Sequence, residues 1–152
     1  MKYLLSLFFT TLLSLPVIAA QEPVPTDKPA SYDAECASCH MAFPPNLLGK
    51  KSWQNIMSSL EKHFGSDASL DVKTQTEITN WLVKNAATKQ KYSGLAPDNR
   101  ITKSYWFISE HDEVKADVWK RVGVKSPVNC LACHTDGDSG TFSEKNIRIP
   151  AK

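Results

Sequence analysis

The chain has 152 residues, with Lys+Arg 18 against Asp+Glu 16 and 41% hydrophobic residues. Fourteen of the first twenty residues are apolar, so the other 152 − 20 = 132 are lean in core-forming side chains. They are enough for one small domain that borrows stability from disulfides, a metal or a bulky cofactor, and too few for a multidomain enzyme. Removing Lys2 with the leader leaves a net charge of 17 − 16 = +1, so no nucleic acid partner is expected, because such partners require clustered positive charge.

In chain order, Lys2 precedes a mostly apolar stretch from Tyr3 to Ile18, and Pro16-Val17-Ile18-Ala19-Ala20 offers a small-residue cleavage pattern. Residues 1–20 read as a cleaved signal peptide, and the mature chain is expected to begin near Gln21. Ser6, Thr10, Thr11, Ser14 and Pro16 interrupt the stretch, which falls short of the ~20 apolar residues needed to span hydrocarbon. The mature form is therefore expected to be soluble and outside the cytoplasm. Residues 21–30, with Pro23, Pro25 and Pro29, read as an extended N-terminal tether.

In an oxidising compartment four cysteines ordinarily suggest two disulfides. Here they fall as Cys36-Ala37-Ser38-Cys39-His40 and Cys130-Leu131-Ala132-Cys133-His134. Both are C-x-x-C-H, in a chain with only 4 histidines, and that pattern marks covalent c-type haem attachment. Two thiols on one helical turn each add to a vinyl group of the same porphyrin, which aims the adjacent imidazole at the iron. A zinc site would need the two pairs to converge across the 90 residues between Cys39 and Cys130, whereas zinc ribbons space them by about 15 to 20. A thioredoxin-like redox motif leaves both histidines unexplained and expects a strand-helix unit that is not visible.

Between the motifs, Trp53, Ile56, Met57, Leu60 and Phe64 gather on one helical face, with Ser52 as N-cap and Gly65 as stop. His63 lies about 20° from Ile56 on that face. Asp71 caps a second helix over residues 72–87, striped by Ile78, Trp81 and Leu82; residues 89–99 read as a linker. A short helix capped by Ser104 ends at His111, with Phe107 one turn before it. Lys115, Lys120, Arg121 and Lys125 read as a solvated face rather than a docking patch. Asp136-Gly137-Asp138-Ser139-Gly140 opens like a calcium loop, but the twelfth position is Ile147 where an EF-hand needs glutamate, so a polar turn is expected. From Thr135 onward the chain reads as a loop wrapping the second haem. The four tryptophans, Trp53, Trp81, Trp106 and Trp119, read as haem-pocket packing.

The fold class is mainly α: a small helical dihaem cytochrome c with long loops and two lobes, about 31–88 and 100–152, each packed round one covalently attached haem. After His40 and His134 are used by the motifs, His63 and His111 remain. That number equals the number of open haem faces, which predicts two six-coordinate bis-histidine sites. Met57 is the rival sixth ligand, with packing as its expected role. Proximity pairs His40 with His63 and His111 with His134; crossed pairing remains open.

With both motifs, the W-x-x-I-M-x-x-L-x-x-H-F helix, the Y-W-F-x-x-E-H segment, the S-P-x-N-C-x-x-C-H approach and the terminal I-R-I-P, the chain resembles the small periplasmic dihaem cytochrome c family from Glu35 to Pro150. The resemblance implies an electron carrier in which Cys36, Cys39, Cys130 and Cys133 anchor two haem c groups and His40, His63, His111 and His134 ligate iron. It also implies a redox partner, such as a monohaem cytochrome; a membrane-bound electron donor is the other candidate. If both irons are saturated, the chemistry is outer-sphere electron transfer. The alternative is a haem enzyme of peroxidase or nitrite reductase type with one open or labile axial position. A gas or redox sensor is a third class, but no signalling module follows.

Overall fold

Capping and apolar spacing decide where this chain turns helical. The computed structural model describes residues 25–152, so the signal peptide expected over 1–20 and the first part of the tether lie outside the described residues. Within them run five α-helices: α1 (Ala30–Cys36), α2 (Lys50–Met57), α3 (Val72–Lys84), α4 (Gln90–Ser93) and α5 (Tyr105–Glu110). Loops and single 3-10 turns join them, and the described residues hold no strand, only the isolated bridges Gly49–Ala87, His63–Ser66 and His134–Ile147. This is the mainly α architecture that the sequence predicts. No helix among the described residues is long and apolar enough to cross a membrane.

The helix expected from Trp53 to Phe64 is instead split. It starts earlier, at Lys50 with Gly49 as N-cap, and ends at Met57. Both Ser58 Oγ and Ser59 Oγ donate back to the Asn55 carbonyl, at 3.0 and 2.9 Å, competing with the helix for that acceptor. Ser59 then leaves helical geometry (φ −144°), and a 3-10 turn, Leu60–Lys62, delivers His63 at its C-terminal end. Ser52 is not a cap but a fully buried residue of α2, whose Oγ accepts from the Ala96 amide at 3.2 Å. Gly65 does end the excursion, at φ +104°, a conformation open to glycine.

α3 begins as predicted: the Asp71 carboxylate accepts from the Lys73 and Thr74 amides at 3.0 and 3.1 Å. It ends at Lys84, short of the expected Ala87, because the Asn85 backbone and side chain both donate to the Trp81 carbonyl and the Ala87 amide crosses to the Leu48 carbonyl at 2.8 Å. Ile78, Trp81 and Leu82 are buried against Trp53 and Met57 of α2, in a core that continues to Trp106 and Phe107. The described end of the tether is pinned on α3, where Asp27 accepts from Trp81 Nε1 at 3.2 Å and from Lys84 Nζ at 2.5 Å. The 89–99 stretch, expected as a plain linker, carries α4, a buried Ala96 and a 3-10 turn at Pro97–Asn99.

Beyond α5 the described chain has only 3-10 turns. Its last residues cross the second C-x-x-C-H motif: the Arg148 amide donates to the Cys133 carbonyl at 2.9 Å, and Arg121 Nη1 donates to the Pro150 carbonyl at 2.7 Å. The Asp136–Gly140 segment is a polar turn in which Asp136 accepts from Asn146 Nδ2.

Candidate functional site

Each C-x-x-C-H motif lies on a helical turn. Cys36 is the last residue of α1, with Cys39 and His40 on the following turn. Cys130 opens the 3-10 turn Cys130–Ala132, and the Cys133 and His134 amides fold back onto its carbonyl at 3.2 and 2.8 Å. No disulfide joins any of the four cysteines. Burial pushes the Cys36 and Cys130 thiols up to about 11 and raises Cys133 as well. Among the described residues no three His, Cys, Asp or Glu side chains converge on a metal-sized point, so the cysteines do not build a zinc tetrad.

The histidines gather in two pairs. The His40 and His63 ring centroids are 6.2 Å apart, and those of His111 and His134 are 6.1 Å apart. Two imidazoles bound on opposite sides of one metal, each through a bond of about 2 Å, place their centroids about 6 Å apart. A face-to-face stack is closer, as Phe107 and His111 are at 4.1 Å. These are the pairs that sequence proximity suggests, and each joins one motif histidine to one spare histidine.

Backbone carbonyls orient two of the rings. His40 Nδ1 is 2.7 Å from the Met41 carbonyl, and His111 Nδ1 is 2.8 Å from the Phe107 carbonyl, leaving Nε2 of each ring for a metal. Burial, then the charge of the neighbouring His40, holds the His63 imidazole below its ordinary range; burial, then His111, does the same for His134. Neutral imidazole is the form that ligates.

Aromatic rings complete both pockets. Phe43 lies over His40 at 4.8 Å and 29°, Trp119 lies 5.8 Å from His111, and Phe142 meets His134 edge-on at 5.3 Å. Sequence reasoning named Trp119 as packing but missed Phe43 and Phe142; Phe43, three residues beyond His40, was the one with a local cue. Trp53 and Trp81 pack the protein core instead, with Trp53 Nε1 donating to the Pro45 carbonyl at 2.7 Å. Met57, the rival sixth ligand, is buried in that core with them.

The residues fit a haem in a further respect. Trp106 Nε1 and Arg121 Nε are buried donors with no hydrogen-bond partner in the structure, and donors of this kind suit a carboxylate such as a propionate.

The comparisons with known proteins bear on the family and its cofactor. Residues 32–142 match the family model described as dihaem cytochrome c. The X-ray structure of a dihaem cytochrome c from Shewanella baltica OS155 is 39% identical, covering 80% of this chain and 93% of that one, with a TM-score of 0.71. Two structures from Rhodobacter sphaeroides, one of DHC purified from the organism and one of its dihaem cytochrome c, are 40% and 38% identical. They cover 78% and 80% of this chain and 99% and 100% of their own, with TM-scores of 0.66 and 0.68. No curated protein matches the chain. With its four motif cysteines in the arrangement that covalent attachment of two haem c groups requires, the chain belongs to the dihaem cytochrome c family.

Proposed function

We propose that the chain is a periplasmic electron carrier in which each haem sits between two histidines, His40 with His63 and His111 with His134. Haem-based electron transfer is the work of the family to which it belongs. The single observation that carries the finer reading is the pair of imidazole separations, 6.2 and 6.1 Å, each of the size that one iron between two nitrogens needs. Cys36 and Cys39 hold one haem through thioethers, and Cys130 and Cys133 hold the other. When bound, the group supplies a reversible one-electron couple of iron. The chain's own residues do the rest. The four histidines would hold the two irons and leave no position on either for a substrate; the aromatic rings and backbone carbonyls fix the imidazoles, so little would rearrange as charge changes. Two imidazoles also set a lower potential than a histidine with a thioether.

Export rests on the leader in residues 1–20. A single electron enters from one redox protein and leaves to another, a monohaem cytochrome or a membrane-bound donor being the partner class we propose. The test is substitution of the two spare histidines. His63→Gly and His111→Gly should each retain two covalent haems, counted by intact mass, while converting one of them to high spin. A variant whose spectrum stays wholly low-spin removes that residue from its assigned role.

A further inference from the structure

All four proposed ligands are histidine, yet the two pairs are not built alike. The His40 and His63 ring planes are inclined by 24°, nearly parallel, whereas those of His111 and His134 cross at 82°. In each pair one ring is held by a backbone carbonyl and a stacked aromatic ring: His40 by Met41 and Phe43, and His111 by Phe107, which supplies both. The Phe107 carbonyl takes Nδ1 of the His111 ring at 2.8 Å, and the Phe107 ring lies flat on it at 4.1 Å and 22°. Phe107 is itself 7% exposed and wedged between Trp106, at 5.9 Å and 72°, and Trp119, at 6.2 Å and 39°. A ring held in that way has no other rotamer open to it without emptying packed volume. His134 has no such partner: its Nδ1 is buried without a hydrogen bond, and Phe142 meets it at 64°.

We propose that Phe107 is a positioning residue that turns the His111 ring across the plane of His134, so that the two irons are electronically different although their ligands are the same. The inference rests on the bis-histidine reading above. An axial imidazole donates π density perpendicular to its own ring plane, into one of two iron d orbitals. Parallel rings load the same orbital and split the pair; crossed rings load both evenly and leave them nearly degenerate. The first arrangement gives a ferric low-spin signal with three resolved g values, the second a single strongly anisotropic feature at high g. An electron arriving at the protein therefore meets two distinguishable centres rather than two copies of one.

The test is low-temperature electron paramagnetic resonance of the fully oxidised protein with both haems attached. The expected spectrum contains one rhombic and one high-g low-spin signal in equal amounts. Phe107→Leu keeps the backbone carbonyl and the apolar bulk but removes the flat ring; it should shift or broaden the high-g signal alone, and Phe107→Tyr, which retains the stack, should keep it. Two signals of the same type in the wild type, or an unchanged high-g signal in folded Phe107→Leu, would overturn the proposal while leaving bis-histidine ligation intact. A high-spin signal in the wild type would overturn the ligand reading itself. Where Phe107→Leu fails to fold, the wild-type and Phe107→Tyr spectra decide.

Discussion

Gly49 shows how closely a single residue governs the start of α2. A Cβ at this position would lie 2.1 Å from the backbone carbonyl oxygen of Ser93, although the φ of Gly49, −70°, suits any residue. The requirement is therefore steric, and it falls where the 48–49 segment bridges to Ala87 at the start of α2. Gly49→Ala should destabilise the folded protein by about 1–3 kcal/mol, the usual penalty of overpacking, measurable by denaturant titration of the wild type and variant. His63 illustrates what one residue conceals in a sequence. Its helical phase placed it correctly on the inward edge, but the helix that was to carry it stops at Met57, because Ser58 and Ser59 turn back onto Asn55. Periodicity found Trp53, Met57 and Leu60, which are buried, but not Phe64, which is 41% exposed beyond the break; the competition between serine hydroxyls and amides for one carbonyl has no comparable sequence period.

Among the elements, α5 is the one whose ends were legible in full. Ser104 caps it, its Oγ accepting from the Phe107 amide at 3.3 Å and donating to the Ile101 carbonyl at 2.6 Å, and His111 closes it. Cap chemistry is local, so sequence spacing suffices to read it. The far end of α3 was not legible, since the Trp81 carbonyl is taken twice by Asn85 and the continuation is drawn away by Leu48, which lies on another segment. Because α5 carries Phe107 and ends on His111, its cap bears on the second site as well as on stability. Ser104→Ala should lower stability by about 1 kcal/mol and remove one of the two donors to the Ile101 carbonyl, the backbone amide of residue 104 remaining. Calorimetry of the protein with both haems should register the loss as a lower melting temperature, with no change in haem content.

At the scale of the whole molecule, apolar burial is unevenly shared. The core cluster gathers Tyr32, Trp53, Ile78, Trp81 and Leu82 and reaches Trp106 and Phe107. After residue 111 the described chain has no α-helix, and its buried hydrophobic side chains are Val118 and Val124. That segment buries little apolar surface of its own, and a haem attached at Cys130 and Cys133 would supply what its packing lacks. The lean composition and the second C-x-x-C-H motif were legible in the sequence, but the imbalance was not: two lobes, each packed round one haem, are what those features lead one to expect. Replacing both Cys130 and Cys133 with alanine should leave α2 and α3 protected from limited proteolysis while exposing sites between residues 112 and 152. Equal protection of both halves would mean that the second half folds without its cofactor.

The absorption spectrum of the purified protein, oxidised and then reduced under carbon monoxide, tests the central claim most directly. Two irons each closed by a pair of imidazoles predict a wholly low-spin ferric spectrum and a ferrous spectrum that carbon monoxide does not alter. A high-spin ferric component, or prompt carbon monoxide binding, would contradict the claim by revealing an iron with an open axial position.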